Sequence, residues 1–262
     1  MAQTAEAHPK FIVFTGDLVL RGDDAADWET WDTETKPWAA ADVKVYPAIG
    51  NHELHADPVV GLRNYFVRFP ELAGSRYYSL RAGNTLTLVL DSALPEVSGP
   101  QGEWLVRQLN SLPQDLDFVF VVLHHPPYTN SKDRLLGGGH GPRPQEQALA
   151  ALLEQHQAQS RARFVVFSGH VHNYERYEHH GVTYIVSGGG GATPYTIPRG
   201  PADAYRGTGT TYHYCQVEVN GPKLTIRAMK LELGEDGKQT GFHEVDSVTL
   251  SPAAKAKAAA AH

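Results

Sequence analysis

Between Phe11 and Ser187 the chain carries six short apolar runs, rich in β-branched and aromatic residues. They are FIVFT at 11–15, VKVYPAI at 43–49, TLTLVL at 85–90, DFVFVVL at 117–123, FVVFS at 164–168 and VTYIVS at 182–187. Each is mostly continuous rather than alternating, and each stops at a glycine, aspartate or histidine. Strands that are covered on both faces have this pattern, because both sets of alternating side chains must be apolar. Apolar residues at helical spacing lie between them, in DPVVGLRNYFVRF at 57–69, EWLVRQLNSL at 103–112 and QEQALAALLEQHQ at 145–157. The first of these starts with Asp57 as an N-cap and Pro58 in the first turn. Strand–helix alternation predicts an α/β architecture. From Tyr212 to Leu250 the pattern changes to alternating segments such as YCQVEV and LTIRAMKLEL, expected to be antiparallel strands finishing a second sheet. Neither an internal repeat nor a linker stands out, so residues 1–250 read as a single domain. Residues 251–262 read as an Ala/Lys-rich tail, frayed or weakly helical.

The bulk properties narrow the function. A net charge of −6 gives no electrostatic reason for a nucleic-acid or acidic-membrane partner. No apolar run reaches spanning length, and MAQTAEAHPK lacks the apolar centre of a signal peptide. The chain as it stands is therefore expected to be soluble and cytoplasmic, or secreted or periplasmic if an upstream signal has been lost. Cys215 is the single cysteine, which excludes a disulfide framework and a cysteine-based zinc site. Fourteen histidines is a high count, and several stand beside Gly, Asn or Pro in turn-like contexts.

Four polar clusters directly follow four of the apolar runs: GDLVLRG at 16–22, GNHE at 50–53, HHPP at 124–127 and GHVH at 169–172. Ligands of open α/β sheets bind beyond the carboxyl ends of the strands, so these clusters are expected on one edge. Their Asp, Asn and His side chains are donors suited to Zn, Mn, Fe or Co. Taken singly each has a bland reading: Gly-Asp at a strand end is usually a turn, and His before Pro is common in loops. Their joint order and placement point to metal binding.

The order GD…GNHE…HHPP…GHVH resembles the calcineurin-like metallophosphoesterase superfamily, and GHVHNYER with the later VSGGGGA is similar to its purple acid phosphatase branch. The resemblance runs from Phe11 to Leu250. It implies a β-sandwich of two mixed sheets flanked by helices, a four-layer αββα arrangement with two divalent metals at one edge. Asp17 would bridge the metals, Asn51, His124 and His170 would complete the second site, and His172 would ligate the first. His52 would be the general acid or stabilise charge beside the leaving oxygen, with Glu53 orienting it. With Asp17 it would form the catalytic pair. His125 would face substrate or brace the ligands. The implied substrate is a small phosphoester, chiefly a monoester, with diesters as an extension. Two alternatives stay open: a non-catalytic metal- or phosphate-binding domain, and, more weakly, a nuclease of the same superfamily. Oligomeric state is left open.

The sequence departs from the family pattern in two places. The resemblance implies a further Asp-x-His block on the strand before GD, and none precedes Gly16. His8 lies at the amino end of FIVFT, roughly 20 Å or more from Asp17 at ~3.3 Å per residue. Either the sequence starts inside a longer protein or it is a variant that has lost a metal. The first reading is preferred, because removing a strand from a buried pair exposes apolar surface on its neighbours. In addition, Leu20 stands where purple acid phosphatases place a tyrosine, so no iron–tyrosinate colour is expected. Among other features, GGGHG at 137–141 reads as a substrate loop carrying His140 or as a plain surface turn. Tyr128 and Tyr174 flank the clusters and could line a pocket or simply pack. Trp28, Trp31 and Trp38 are expected to pack on a sheet, and His179 and His180 to face solvent.

Overall fold

The structure is a computed structural model that describes residues 1–132 and 141–253. His140, most of GGGHG and the tail from residue 254 lie outside the described residues. In chain order the elements are α1 (Ala2–Glu6), β1 (Phe11–Phe14), α2 (Ala25–Glu34), α3 (Lys36–Ala40), β2 (Lys44–Pro47), α4 (Pro58–Arg68), β3 (Tyr78–Ala82) and β4 (Thr85–Val89). There follow α5 (Gly99–Asn110), β5 (Phe118–Val122), α6 (Pro144–Gln157), β6 (Arg163–Ser168), β7 (Tyr174–His179), β8 (Val182–Ser187), β9 (His213–Asn220), β10 (Lys223–Leu233) and β11 (Gln239–Leu250).

Six strands form one mixed sheet in the order β3-β4-β5-β6-β8-β7. Its four central strands run parallel, and β3 and β7 close the edges antiparallel. Strand β5 explains why the sequence reads as a continuous run. Val119 and Val121 pack with Leu105 and Leu109 of α5 and Leu149 and Leu153 of α6. Phe118, Phe120 and Val122 face the other way, toward Leu224, Ile226 and Ala228 of β10 and Val13 of β1. Both faces are covered, so every position is apolar.

The second layer is made of two pieces, a parallel β1-β2 pair and an antiparallel β9-β10-β11 sheet. Beyond Val13, the alternate side chains Ile12 and Phe14 of β1 point outward into a cluster with Trp28, Trp31, Trp38, Tyr65 and Phe69. Phe14 meets Trp31 edge-on at 5.3 Å. The result is helices, sheet, second strand layer, helices: the expected αββα sandwich. It differs from a sandwich of two mixed sheets in that the second layer is split. Strand β1 has a ladder partner only on its β2 side among the described residues, and all four of its residues are half-buried.

The buried strands of the main sheet, β1, β2 and helices α4 to α6 fall where the sequence pattern places them. The Asp57 carboxylate caps α4 by accepting from the amides of Val59 and Val60, with Pro58 in the first turn. Two edge strands, β3 and β7, and the tryptophan-bearing helix α2 carry no clear periodic signal. Among the described residues, no helix is long and apolar enough to cross a membrane.

Candidate metal centre

The four polar clusters lie just past the carboxyl ends of β1, β2, β5 and β6. The strand ends are drawn together so closely that side chains are excluded at several points, Gly16 and Gly50 among them. Gly16 has φ of +90°, and a Cβ there would fall 2.8 Å from both the Gly50 amide and His124 Nδ1. A Cβ on Gly50 would fall 2.2 Å from Asp17 Oδ1. Asp17 and His170 themselves hold positive φ, 56° and 64°. That region is costly for residues with a Cβ and is kept only where the surroundings enforce it.

His124 is fully buried. Its Nδ1 is 2.8 Å from the Thr15 carbonyl, which can only accept, so Nδ1 carries the proton and Nε2 presents a lone pair. That nitrogen is 3.0 Å from Asn51 Oδ1, 3.1 Å from His170 Nδ1 and 3.0 Å from Asp17 Oδ2. Asn51 Oδ1 and His170 Nδ1 are in turn 3.0 Å apart. Donors held at right angles about 2.1 Å from one ion lie about 3 Å from each other. Electron-rich atoms facing one another this closely need a cation or a shared proton between them, so these residues fit a divalent metal. The structure brings Asp17, Asn51, His124 and His170 together.

The Asp17–His124 contact also shifts the titration of both groups. Burial would raise the Asp17 pKa, but the charge and hydrogen bond of His124 outweigh it and hold the carboxyl well below its ordinary range. Burial would lower His124, and Asp17 reverses this and raises it.

Glu53 has a different position from the expected one. It does not orient the His52 ring. Fully buried, its carboxylate accepts from the amides of Asp17 at 2.9 Å, Leu18 at 2.7 Å and Gly50 at 2.6 Å. It therefore ties the GD turn to the GNHE turn. Burial and the nearby Asp17 push its pKa up to about 7, against the pull of those amides. The His52 ring is instead held by Leu20, whose carbonyl accepts from Nδ1 at 2.6 Å, and the His52 amide donates to Asp17 Oδ1 at 3.0 Å. Leu20, in the place expected for a chromophoric tyrosine, is exposed.

His172 lies two residues past His170. Its Nδ1 is 3.2 Å from the Thr193 carbonyl and its ring lies beside Tyr195. Among the described residues, one group of three or more His, Cys, Asp or Glu ligand atoms lies within mutual 4.8 Å, and it comprises His124, His125 and His170. His125 thus lies beside His124 and His170, and burial followed by its histidine neighbours lowers its pKa.

Tyr128 bonds and stacks with residues outside the donor set. Its hydroxyl donates to Glu154 of α6 at 2.9 Å and its ring stacks on His179 at 4.0 Å, on the helix-covered side of the main sheet. That contact also corrects the reading of His179 as a solvent-facing turn residue, while His180 is exposed. Tyr174 is buried and donates to Asp246 at 2.9 Å. Ser92, just past β4, was not legible as a site residue, yet its Oγ lies 2.8 Å from His125 Nδ1. The one available signal was the strand-end dipeptide Asp91-Ser92 on the strand that neighbours β5.

Comparison with known proteins adds the family. The profile of the family described as calcineurin-like phosphoesterase matches residues 2–174. A phosphoenolpyruvate phosphatase of Allium cepa is 28% identical over 210 residues, covering 74% of this chain and 41% of that protein. Purple acid phosphatase 1 of Ipomoea batatas is 28% identical over 183 residues, covering 64% and 37%. The chain thus spans about two-fifths of the length of these relatives. Among solved structures, purple acid phosphatase PPD1 from yellow lupin (Lupinus luteus) seeds superposes with a TM-score of 0.74 at 18% identity, covering 95% of this chain and 47% of that one. The order of strand-end motifs, the layered fold and the family match agree: the chain belongs to the calcineurin-like phosphoesterase family, on its purple acid phosphatase-like branch.

Proposed function

We propose that this chain is a metal-dependent phosphoesterase that hydrolyses phosphomonoesters, with diesters as an extension. The observation that carries the reading is the convergence of Asp17, Asn51, His124 and His170 through contacts of 3.0–3.1 Å. Divalent metals bound there would polarise phosphoryl oxygens and bring the pKa of water toward neutrality. Asp17 contributes negative charge and is oriented through the His52 amide. Asn51 and the two imidazoles supply neutral donors. With Nδ1 committed to Leu20, His52 in its imidazolium form presents Nε2–H to the leaving oxygen and passes it a proton. Glu53 keeps the turns bearing Asp17 and Asn51 in register. His172, with Asp17, would take part in the first metal site. An Fe(3+)-Zn(2+) purple acid phosphatase 12 of Arabidopsis thaliana, 26% identical over 183 residues, supports a pair of transition metals. Which metals this chain takes is open to the assay below.

A second reading, a metal- or phosphate-binding domain without turnover, is favoured by one observation: the donor contacts of 3.0–3.1 Å make up one set, Asp17, Asn51, His124 and His170, where two-metal chemistry needs two. One assay separates the two. The purified protein is stripped with chelator, reloaded with Mn, Zn, Fe or Co, and given para-nitrophenyl phosphate. Metal-dependent release of nitrophenol that Asp17→Asn removes is the expected result. Metal uptake with no turnover would leave the binding-domain reading, and turnover indifferent to Asp17→Asn would refute the site.

A further inference from the structure

Three imidazoles converge at the centre, and distance alone offers a three-histidine ligand set: His125 and His170 have ring centroids 4.4 Å apart, and His124 and His125 4.9 Å. The hydrogen bonds of His125 argue for a different role. Its backbone amide donates to Ser92 Oγ at 3.1 Å, and its Nδ1 lies 2.8 Å from the same oxygen. Ser92 is fully buried. A serine hydroxyl has one hydrogen and two lone pairs, and the amide occupies one lone pair. The hydrogen needs an acceptor, since leaving a buried donor unmade costs about 1–3 kcal/mol. His125 Nδ1 is the acceptor within reach, so Ser92 donates to it. A neutral imidazole holds one proton, which then resides on Nε2. His125 thus offers an N–H rather than a lone pair, and an N–H does not ligate a cation.

Ser92 is braced for this task. Its carbonyl accepts from Arg143 Nη2 at 2.6 Å and from Gln145 Nε2 at 3.0 Å, both at the start of α6. Arg143 is in turn paired with the buried Glu146. Nε2 lies across the ring from Ser92, and His125, unlike Ser92, is partly exposed.

We propose that Ser92 and His125 form a preset donor for the phosphoryl group. Ser92 fixes the tautomer, and His125 Nε2–H holds a phosphoryl oxygen beside the metal ligands without itself binding metal. His125 is then a substrate-contacting residue and Ser92 its positioning residue. The assignment rests on the phosphoesterase reading.

The test compares the wild type with His125→Ala, His125→Gln, Ser92→Ala and Ser92→Thr. It measures para-nitrophenyl phosphate kinetics, inhibition by inorganic phosphate, metal content, and the ring nitrogen shifts of ¹⁵N-labelled histidine. His125→Ala is expected to lose ~10²-fold in kcat/KM and to weaken phosphate inhibition about tenfold, as removal of one preset donor does. Its metal content stays at the wild-type level. His125→Gln keeps an N–H near the Nε2 position and restores most of the loss. It also keeps the test decisive should the alanine variant misfold. The His125 ring shows a protonated Nε2 and a bare Nδ1, mixing in Ser92→Ala and restored in Ser92→Thr. Metal loss on His125→Ala would make His125 a ligand and overturn the proposal. So would unchanged kinetics in an active enzyme, or a bare Nε2. If the metal-loaded wild type neither turns over nor binds phosphate, the phosphoesterase reading falls and takes this assignment with it.

Discussion

The substitution Glu53→Gln tests how the centre is held together. One oxygen of Glu53 accepts from the amides of Asp17 and Gly50 and the other from Leu18, at 2.6–2.9 Å. All three partners are donors, so a carboxylate satisfies them and a glutamine cannot. Its best rotamer keeps the oxygen on Asp17 and Gly50 and turns the amide nitrogen onto the Leu18 N–H, donor against donor. One buried N–H is orphaned and one side-chain N–H is left without an acceptor, at about 1–3 kcal/mol each. The sum is about 2–4 kcal/mol, allowing for local relaxation. For a chain of this size each kcal/mol moves Tm by about 2–4 °C, so a fall of about 4–16 °C is expected. The assay is thermal unfolding at pH 8, above the value of about 7 to which burial and Asp17 push this carboxyl. Metal affinity should fall in parallel by about 10–100-fold, because the turns bearing Asp17 and Asn51 lose their tie. A glutamine variant that melts within about 1 °C of wild type and binds metal as tightly would refute the clamp.

Other perturbations give equally definite outcomes. Gly50→Ala should abolish metal binding or folding, because its Cβ would meet Asp17 Oδ1, whereas Gly191→Ala, with nothing within 4 Å, should be silent in metal uptake and Tm. His52→Ala should lower kcat for an aryl phosphate by ~10²-fold or more with metal content unchanged, as loss of a general acid does; a parallel loss of metal would make it a ligand instead. Glu96 is buried beside Glu146, has an oxygen without a hydrogen-bond partner, and is pushed up to about 8 by burial and then by that neighbour. With the folded pKa above the unfolded one, its contribution to stability is full below about 4.5 and is lost as pH rises to about 8. Glu96→Gln should therefore flatten the fall of Tm over that window, and an unchanged slope would exclude Glu96 as its source.

Much of the fold was legible because burial on both faces leaves a mark. Runs such as FVFVV in β5 have nowhere polar to point, and the strand-end glycines signal close approach, as Gly16 and Gly50 bear out. The donor residues Asp17, Asn51, His124 and His170 were legible for the same reason: each directly follows such a run. What was hidden depends on contacts made at a distance in sequence. β7 reads YERYEH, an edge strand whose Arg176 is matched by Asp246 on β11 rather than by any local period. Glu53 looked like a partner of its neighbour His52. Its amide partners on Asp17 and Leu18 lie 36 and 35 residues away. Ser92 is 33 residues from His125 and is a plain serine until β4 and β5 pair. Tyr128 directly follows HHPP but turns into the helix-covered face to reach Glu154.

The central claim is that the strand-end donors hold a metal, and the most direct measurement is elemental analysis of the purified protein after dialysis, wild type against His124→Ala. The account predicts at least one transition metal per chain in the wild type, and loss of it in His124→Ala with the fold retained by circular dichroism. A metal-free wild type that stays metal-free on reloading, or an alanine variant that keeps the full metal complement, would contradict it.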